Sequence, residues 1–179
     1  MKIKIRKGTH YPYLIPIAFP YYVKADDINY REARFMFTDS CMFDLHDEDQ
    51  HDVNKLFGFS IGHHHKRSSF RFGWRPILKN NTIEICAYEY HDGVRQKTMP
   101  IHEVKLNKQY QFRISYLPHI DRTHYLISDV ETHDFISDKK SYSFANDFVL
   151  KKKSGLGYTL GVYFGGNEKA PQNITIYKK

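Results

Sequence analysis

The stretch Asn54–Tyr90, NKLFGFSIGHHHKRSSFRFGWRPILKNNTIEICAYEY, constrains what this chain can fold into more than any other. Three of its segments, Leu56–Ile61, Ser69–Arg75 and Thr82–Tyr90, alternate at period two. Successive side chains of a strand point to opposite faces, so this alternation describes half-buried strands; a helix would repeat its apolar residues at three- and four-residue spacing. In the second segment Phe70, Phe72 and Trp74 share one face, with Ser69, Arg71, Gly73 and Arg75 on the other. In the third, Ile83, Ile85 and Ala87 oppose Glu84, Cys86, Tyr88 and Tyr90.

The same pattern continues on both sides. Lys2–Arg6 alternates Lys and Ile and reads as a first strand. Pro12, Pro16 and Pro20 space out an aromatic segment, Tyr11–Tyr22, which suits a sheet edge because proline cannot donate to a ladder. Tyr21–Lys24 and Arg31–Thr38 read as strands, with Ile28–Arg31 between them as a short helical turn. Asp92-Gly93 marks a hairpin, with Val94–Met99 as its return strand. Glu103–Leu106, Gln109–Tyr116, Arg122–Ser128, part of Ser141–Leu150, Tyr158–Phe164 and Asn173–Tyr177 complete the series. Roughly a dozen short strands with regular turn signals predict an all-β fold, a two-sheet antiparallel β-sandwich of the jelly-roll type. First and last strands should lie together, in one domain spanning 1–179.

Composition narrows the partners. The chain carries a formal net charge of +7, and 14 tyrosines enrich it in rings that suit recognition surfaces. An acidic partner fits such a balance, but the basic residues are scattered and the one tight run is Lys151–Lys153, so nucleic acid is not favoured. The two cysteines, Cys41 and Cys86, sit in apolar stretches and read as buried thiols, with a single bridge as the alternative. No apolar stretch resembles a signal peptide or a membrane span, so a cytoplasmic protein without membrane contact is expected.

Three constellations could carry chemistry. His63, His64 and His65 form a loop between strands; on extended backbone His63 and His65 project to one side and permit two ligands to a metal. His46, His51 or an aspartate of the acidic segment Ser40–Asp52 would have to supply the third. A solvated strand-end loop explains the same residues, and no metal or cofactor is expected. Arg71 and Arg75 share a non-core face with Glu84 and Tyr88 of the next strand, a surface suited to a carboxylate or polyhydroxyl ligand or to a cross-strand ion pair. Tyr163 and Asn167 flank Gly165-Gly166, where backbone can approach a ligand or simply turn. No nucleophile elbow, phosphate loop or dinucleotide fingerprint is present, so no catalytic residue is assigned.

The strand pattern and terminal pairing resemble the concanavalin A-like lectin and glucanase superfamily. That resemblance implies a sheet face that in relatives binds or cleaves polysaccharide. NKLFGFS, GHHHKRSSFRFGWR, IEICAYEY and YFGGNEKAPQNITI are similar to segments of small uncharacterised bacterial and bacteriophage proteins. The glucanases' paired carboxylates are missing, and of the alginate lyases only YFGG resembles a tyrosine-bearing strand. The expectation is a non-enzymatic, lectin-like binding or structural module, set in a virion or host cytoplasm if phage-encoded. It would engage a glycan or another protein subunit through His63, His64, His65, Arg71, Arg75, Glu84, Tyr88, Tyr163 and Asn167. A polysaccharide lyase and a nucleic-acid binder are the alternatives.

Overall fold

A computed structural model describes residues 1–13, 18–132, 134–141 and 150–179. Its strands in chain order are β1 (Lys2–Ile5), β2 (Ala18–Val23), β3 (Asn29–Phe37), β4 (Asn54–Ser60), β5 (Ser69–Ile77), β6 (Thr82–His91) and β7 (Val94–Arg95). There follow β8 (Met99–Lys105), β9 (Gln109–Leu117), β10 (Arg122–Asp129), β11 (Phe135–Ser141), β12 (Gly155–Leu160) and β13 (Ile174–Lys178). One sheet runs β1-β13-β3-β9-β10-β11 and the other β2-β12-β4-β5-β6-β7, with β8 also on β6. First and last strands pair antiparallel, Lys2 opposite Tyr177. Among the described residues no helix is long and apolar enough to cross a membrane.

The alternation in β5 does what its pattern demands. Phe70, Phe72 and Trp74 turn inward and are fully buried. Trp74 packs 5.4 Å from Phe37, Phe72 lies 5.2 Å from Phe112, and Phe70 stacks on Tyr116 at 4.6 Å, so three rings of one strand stitch the two sheets together. Truncating any of them to alanine would cost about 3–5 kcal/mol. The same inward face carries Glu89 and His91, which survive burial because Tyr125 donates to Glu89 Oε1 at 2.8 Å and His91 Nε2 lies 2.8 Å from Glu89 Oε2.

Several expected bounds shift for local reasons. The turn expected over Ile28–Arg31 is strand from Asn29 onward, because the Asn29 side chain closes the preceding loop instead: it accepts from Lys24 N and donates to Lys24 O, both at 2.7 Å. The return strand over Val94–Met99 splits into β7 and β8, and beside Pro100 the β6–β8 register slips by one residue. Tyr158–Phe164 is paired as strand only to Leu160. β11, FISDKKS, is too polar to announce itself, and the strand expected within Ser141–Leu150 falls almost wholly outside the described residues. Cys41 and Cys86 are buried and free, their thiols pushed up to about 12 by burial.

Candidate functional site

A bulge in β4 builds the site. Lys55 pairs with Gly73 and Phe57 with Phe72, so Leu56 is the extra residue. Leu56 and Phe57 are therefore both buried, and Lys55 emerges on the outer face of the seven-stranded sheet. Gly73 is needed opposite it, since a Cβ there would stand 2.3 Å from Val53 Cγ1 and 2.9 Å from Cys86 Sγ.

One row across this outer face runs Leu160, Gly58, Arg71, Tyr88. Arg71 is only 6% exposed. Its Nη2 makes a long contact of 3.4 Å to Gly161 O, its Nε has no partner, and no carboxylate pairs with it among the described residues. Burial pulls its pKa down to about 10, with Tyr88, Tyr163 and Tyr90 working the other way, so it stays a cation at neutral pH. A buried charge without a counter-ion costs several kcal/mol.

The neighbours make the field more positive. Lys55 Nζ donates to Val53 O at 2.7 Å and lies 4.5 Å from the Tyr88 ring centre. Burial first, then Arg71 and Arg95, lower it to about 8. Arg95 sits 5.0 Å over the same Tyr88 ring. His65 is brought down to about 4, by desolvation and then by Arg71 and His64, and is neutral at pH 7. Tyr88 is pushed up to about 12 by burial and its hydrogen bond with Tyr90.

Tyr163 closes the opposite wall. Its backbone exchanges hydrogen bonds with Lys55 at 2.8 and 3.0 Å, His10 stacks on its ring at 5.4 Å, and Tyr11 meets it edge-on at 5.0 Å. Lys55, Arg71, Tyr88, Tyr90, Tyr11 and Tyr163 line an open cleft of about 560 Å³, together with His65 and Lys66.

Of the residues picked out from sequence, Arg71, Tyr88, Tyr163 and His65 line this cleft. His63 stands beside it with Nδ1 3.4 Å from Tyr158 OH, and His64 stacks on His65 at 5.2 Å. Arg75 and Glu84 do not line it; they satisfy each other, Nε to Oε2 at 2.6 Å, and Arg75 Nη1 also donates to His51 O at 3.1 Å. Asn167 is exposed beyond Gly166 and lies outside the lining. Among the described residues no three His, Cys, Asp or Glu side chains converge to hold a metal ion. The acidic segment is instead folded on itself, Asp47 accepting from Asp49 N and Asp44 from His46 N, both at 2.9 Å.

Sequence reasoning missed Lys55, Tyr11 and Arg95. The period-two pattern started the strand at Leu56, and a bulge leaves no mark in such a pattern. The arrangement can do two things chemically: hold an anion on a desolvated guanidinium, and face flat or polyhydroxylated groups with tyrosine rings and hydroxyls.

No protein-family model matches the chain, and no curated protein matches its sequence. Its fold does match solved structures. An alginate lyase from Klebsiella pneumoniae aligns at 10% identity over 85% of this chain with a TM-score of 0.55. A winged bean acidic lectin complexed with methyl-α-D-galactose aligns at 9% identity over 97% of this chain and 83% of its own, TM-score 0.50. The chain spans 59% of the length of the lyase. The fold is a two-sheet antiparallel β-sandwich of the jelly-roll type.

Proposed function

We propose that the protein is a non-enzymatic, lectin-like module that binds an anionic glycan in the Arg71 cleft. One observation carries the reading: Arg71 lines the cleft, is buried and charged, and has no carboxylate partner among the described residues. A uronate carboxylate supplies two oxygens to the guanidinium fork, and the rings of Tyr88, Tyr90 and Tyr163 offer faces and hydroxyls to the sugar. The jelly-roll likeness to a lectin and a lyase is in keeping with a saccharide ligand. The similarity of the NKLFGFS and YFGGNEKAPQNITI segments to small bacterial and bacteriophage proteins is the ground for a virion or accessory role, where such a module acts by repetition.

Calorimetric titration with disaccharides of galacturonate, mannuronate and glucuronate against maltose tests the reading. Binding of at least one uronate, with maltose silent, is expected; equal or absent binding across the panel contradicts it.

A second reading, a polysaccharide lyase, draws on His65 and Tyr163. His65 is neutral at pH 7 beside a cation that would neutralise the substrate carboxylate. Ultraviolet detection of unsaturated products from polyuronates decides between the two: product formation moves the assignment to the enzyme.

A further inference from the structure

We infer that the Arg71 cleft is the innermost subsite of a longer cationic track, and that the ligand is a polyanionic glycan whose chain leaves the cleft across the His63–Arg67 loop towards Lys151–Lys153. The inference rests on the glycan reading of the cleft and adds the ligand's length, charge repetition and path.

Three segments distant in sequence meet at this end of the sandwich. Gly93 N donates to Arg67 O at 2.7 Å, joining the β6–β7 hairpin to the histidine loop. The Asp92 carboxylate accepts Lys151 N at 2.9 Å and Ser68 Oγ at 3.4 Å, tying the lysine run to the same hairpin. Lys66 belongs to the cleft margin and to the loop at once, and Arg95 covers Tyr88 from the hairpin side. Cleft, loop, hairpin and lysine run are therefore continuous.

The hairpin carboxylates beside these cations are hydrogen-bonded to other groups. Asp92 is occupied by a backbone amide and a serine, and Glu89 is turned into the core towards Tyr125 and His91. No ion pair involves Lys66, Arg67, Arg95, Lys151 or Lys152 among the described residues. Arg67, Lys151 and Lys152 are exposed, so they stay hydrated until a ligand arrives. A protein whose basic residues are otherwise scattered thus gathers cations without ion pairs beside one cleft. Exposed cations act at range, screened by salt, and favour a partner whose negative charge recurs along its length.

Tyrosine walls and a deep, fork-shaped anion subsite favour a sugar carboxylate over nucleic acid as the group held inside. The test pairs uronate disaccharide with the matching decasaccharide on the full chain, alongside single-stranded DNA of similar charge. The decasaccharide should bind at least about tenfold more tightly and with a steeper loss of affinity in salt, since the disaccharide is served by the cleft alone. Replacing three exposed side chains, Arg67→Glu, Lys151→Glu and Lys152→Glu, should remove that gain while disaccharide affinity moves less than about twofold. An unchanged unfolding temperature shows that the variant is folded. Equal affinity for both lengths, or a variant that keeps the gain, overturns the track and leaves the cleft reading standing. Failure of every uronate to bind overturns both. Tight DNA binding lost in the variant, with the decasaccharide silent, overturns the glycan assignment.

Discussion

Arg71 and Arg75 leave the same strand on the same face, four residues apart, and end in opposite states. Arg75 meets Glu84 at 2.6 Å and a backbone carbonyl at 3.1 Å, so the fold itself supplies its counter-charge. Arg71 lies deeper, touches one carbonyl at 3.4 Å and has an unpaired Nε. The register explains the divergence: Arg75 faces Glu84 across β6, whereas Arg71 faces Tyr88 and, on its other side, Gly58, which has no side chain to offer. A satisfied guanidinium holds a sheet together. An unsatisfied one costs stability, and under the proposed reading that cost is met when a ligand binds.

The comparison breaks most visibly at Arg71→Lys. Lysine keeps the charge and loses the planar fork, so uronate affinity should fall by about 30- to 100-fold in calorimetry, with little change in unfolding temperature. At the other arginine the effect moves to stability: Glu84→Gln should cost about 1–2 kcal/mol in urea unfolding and leave affinity within twofold. If Glu84→Gln impairs binding as much as Arg71→Lys does, the two arginines form one site and the division fails.

Protonation of Lys55 sharpens the contrast further. An unfolded lysine keeps its proton to about pH 10.4. In the folded cleft burial and the neighbouring cations lower that to about 8, so between the two values the unfolded chain binds more protons. The free protein should therefore gain stability as pH rises from 8 towards 10, while anion affinity, which needs the proton, declines several-fold over the same range. Thermal melts and titrations at matched ionic strength should show these opposite slopes. The smallest effect belongs to Asn167→Ala, less than about twofold in affinity, because an exposed residue outside the cleft contributes little.

Alternation in β5 and β6 was enough to put Arg71, Arg75, Glu84 and Tyr88 on one face and Trp74 in the core, because half-buried strands reveal their faces at period two. It could not separate the arginines, since pairing depends on which residue stands opposite in the neighbouring strand. Lys55 was hidden by the bulge at Leu56, and Tyr11 reaches Tyr163 only through the tertiary path of a proline-spaced edge segment. The gathering of Arg67, Arg95 and Lys151 rests on hydrogen bonds at Asp92 and Gly93 between segments far apart in sequence. Polar strands such as β11 leave little apolar signal.

The central claim is that Arg71 is retained for a ligand and against stability. Arg71→Met, which keeps the bulk of the stem and removes the unpaired charge, puts both halves to one variant. Urea unfolding should show a protein as stable as the parent or about 1–3 kcal/mol more so, and calorimetry should show uronate binding gone. A variant that is strongly destabilised, or that binds uronates as the parent does, contradicts the account.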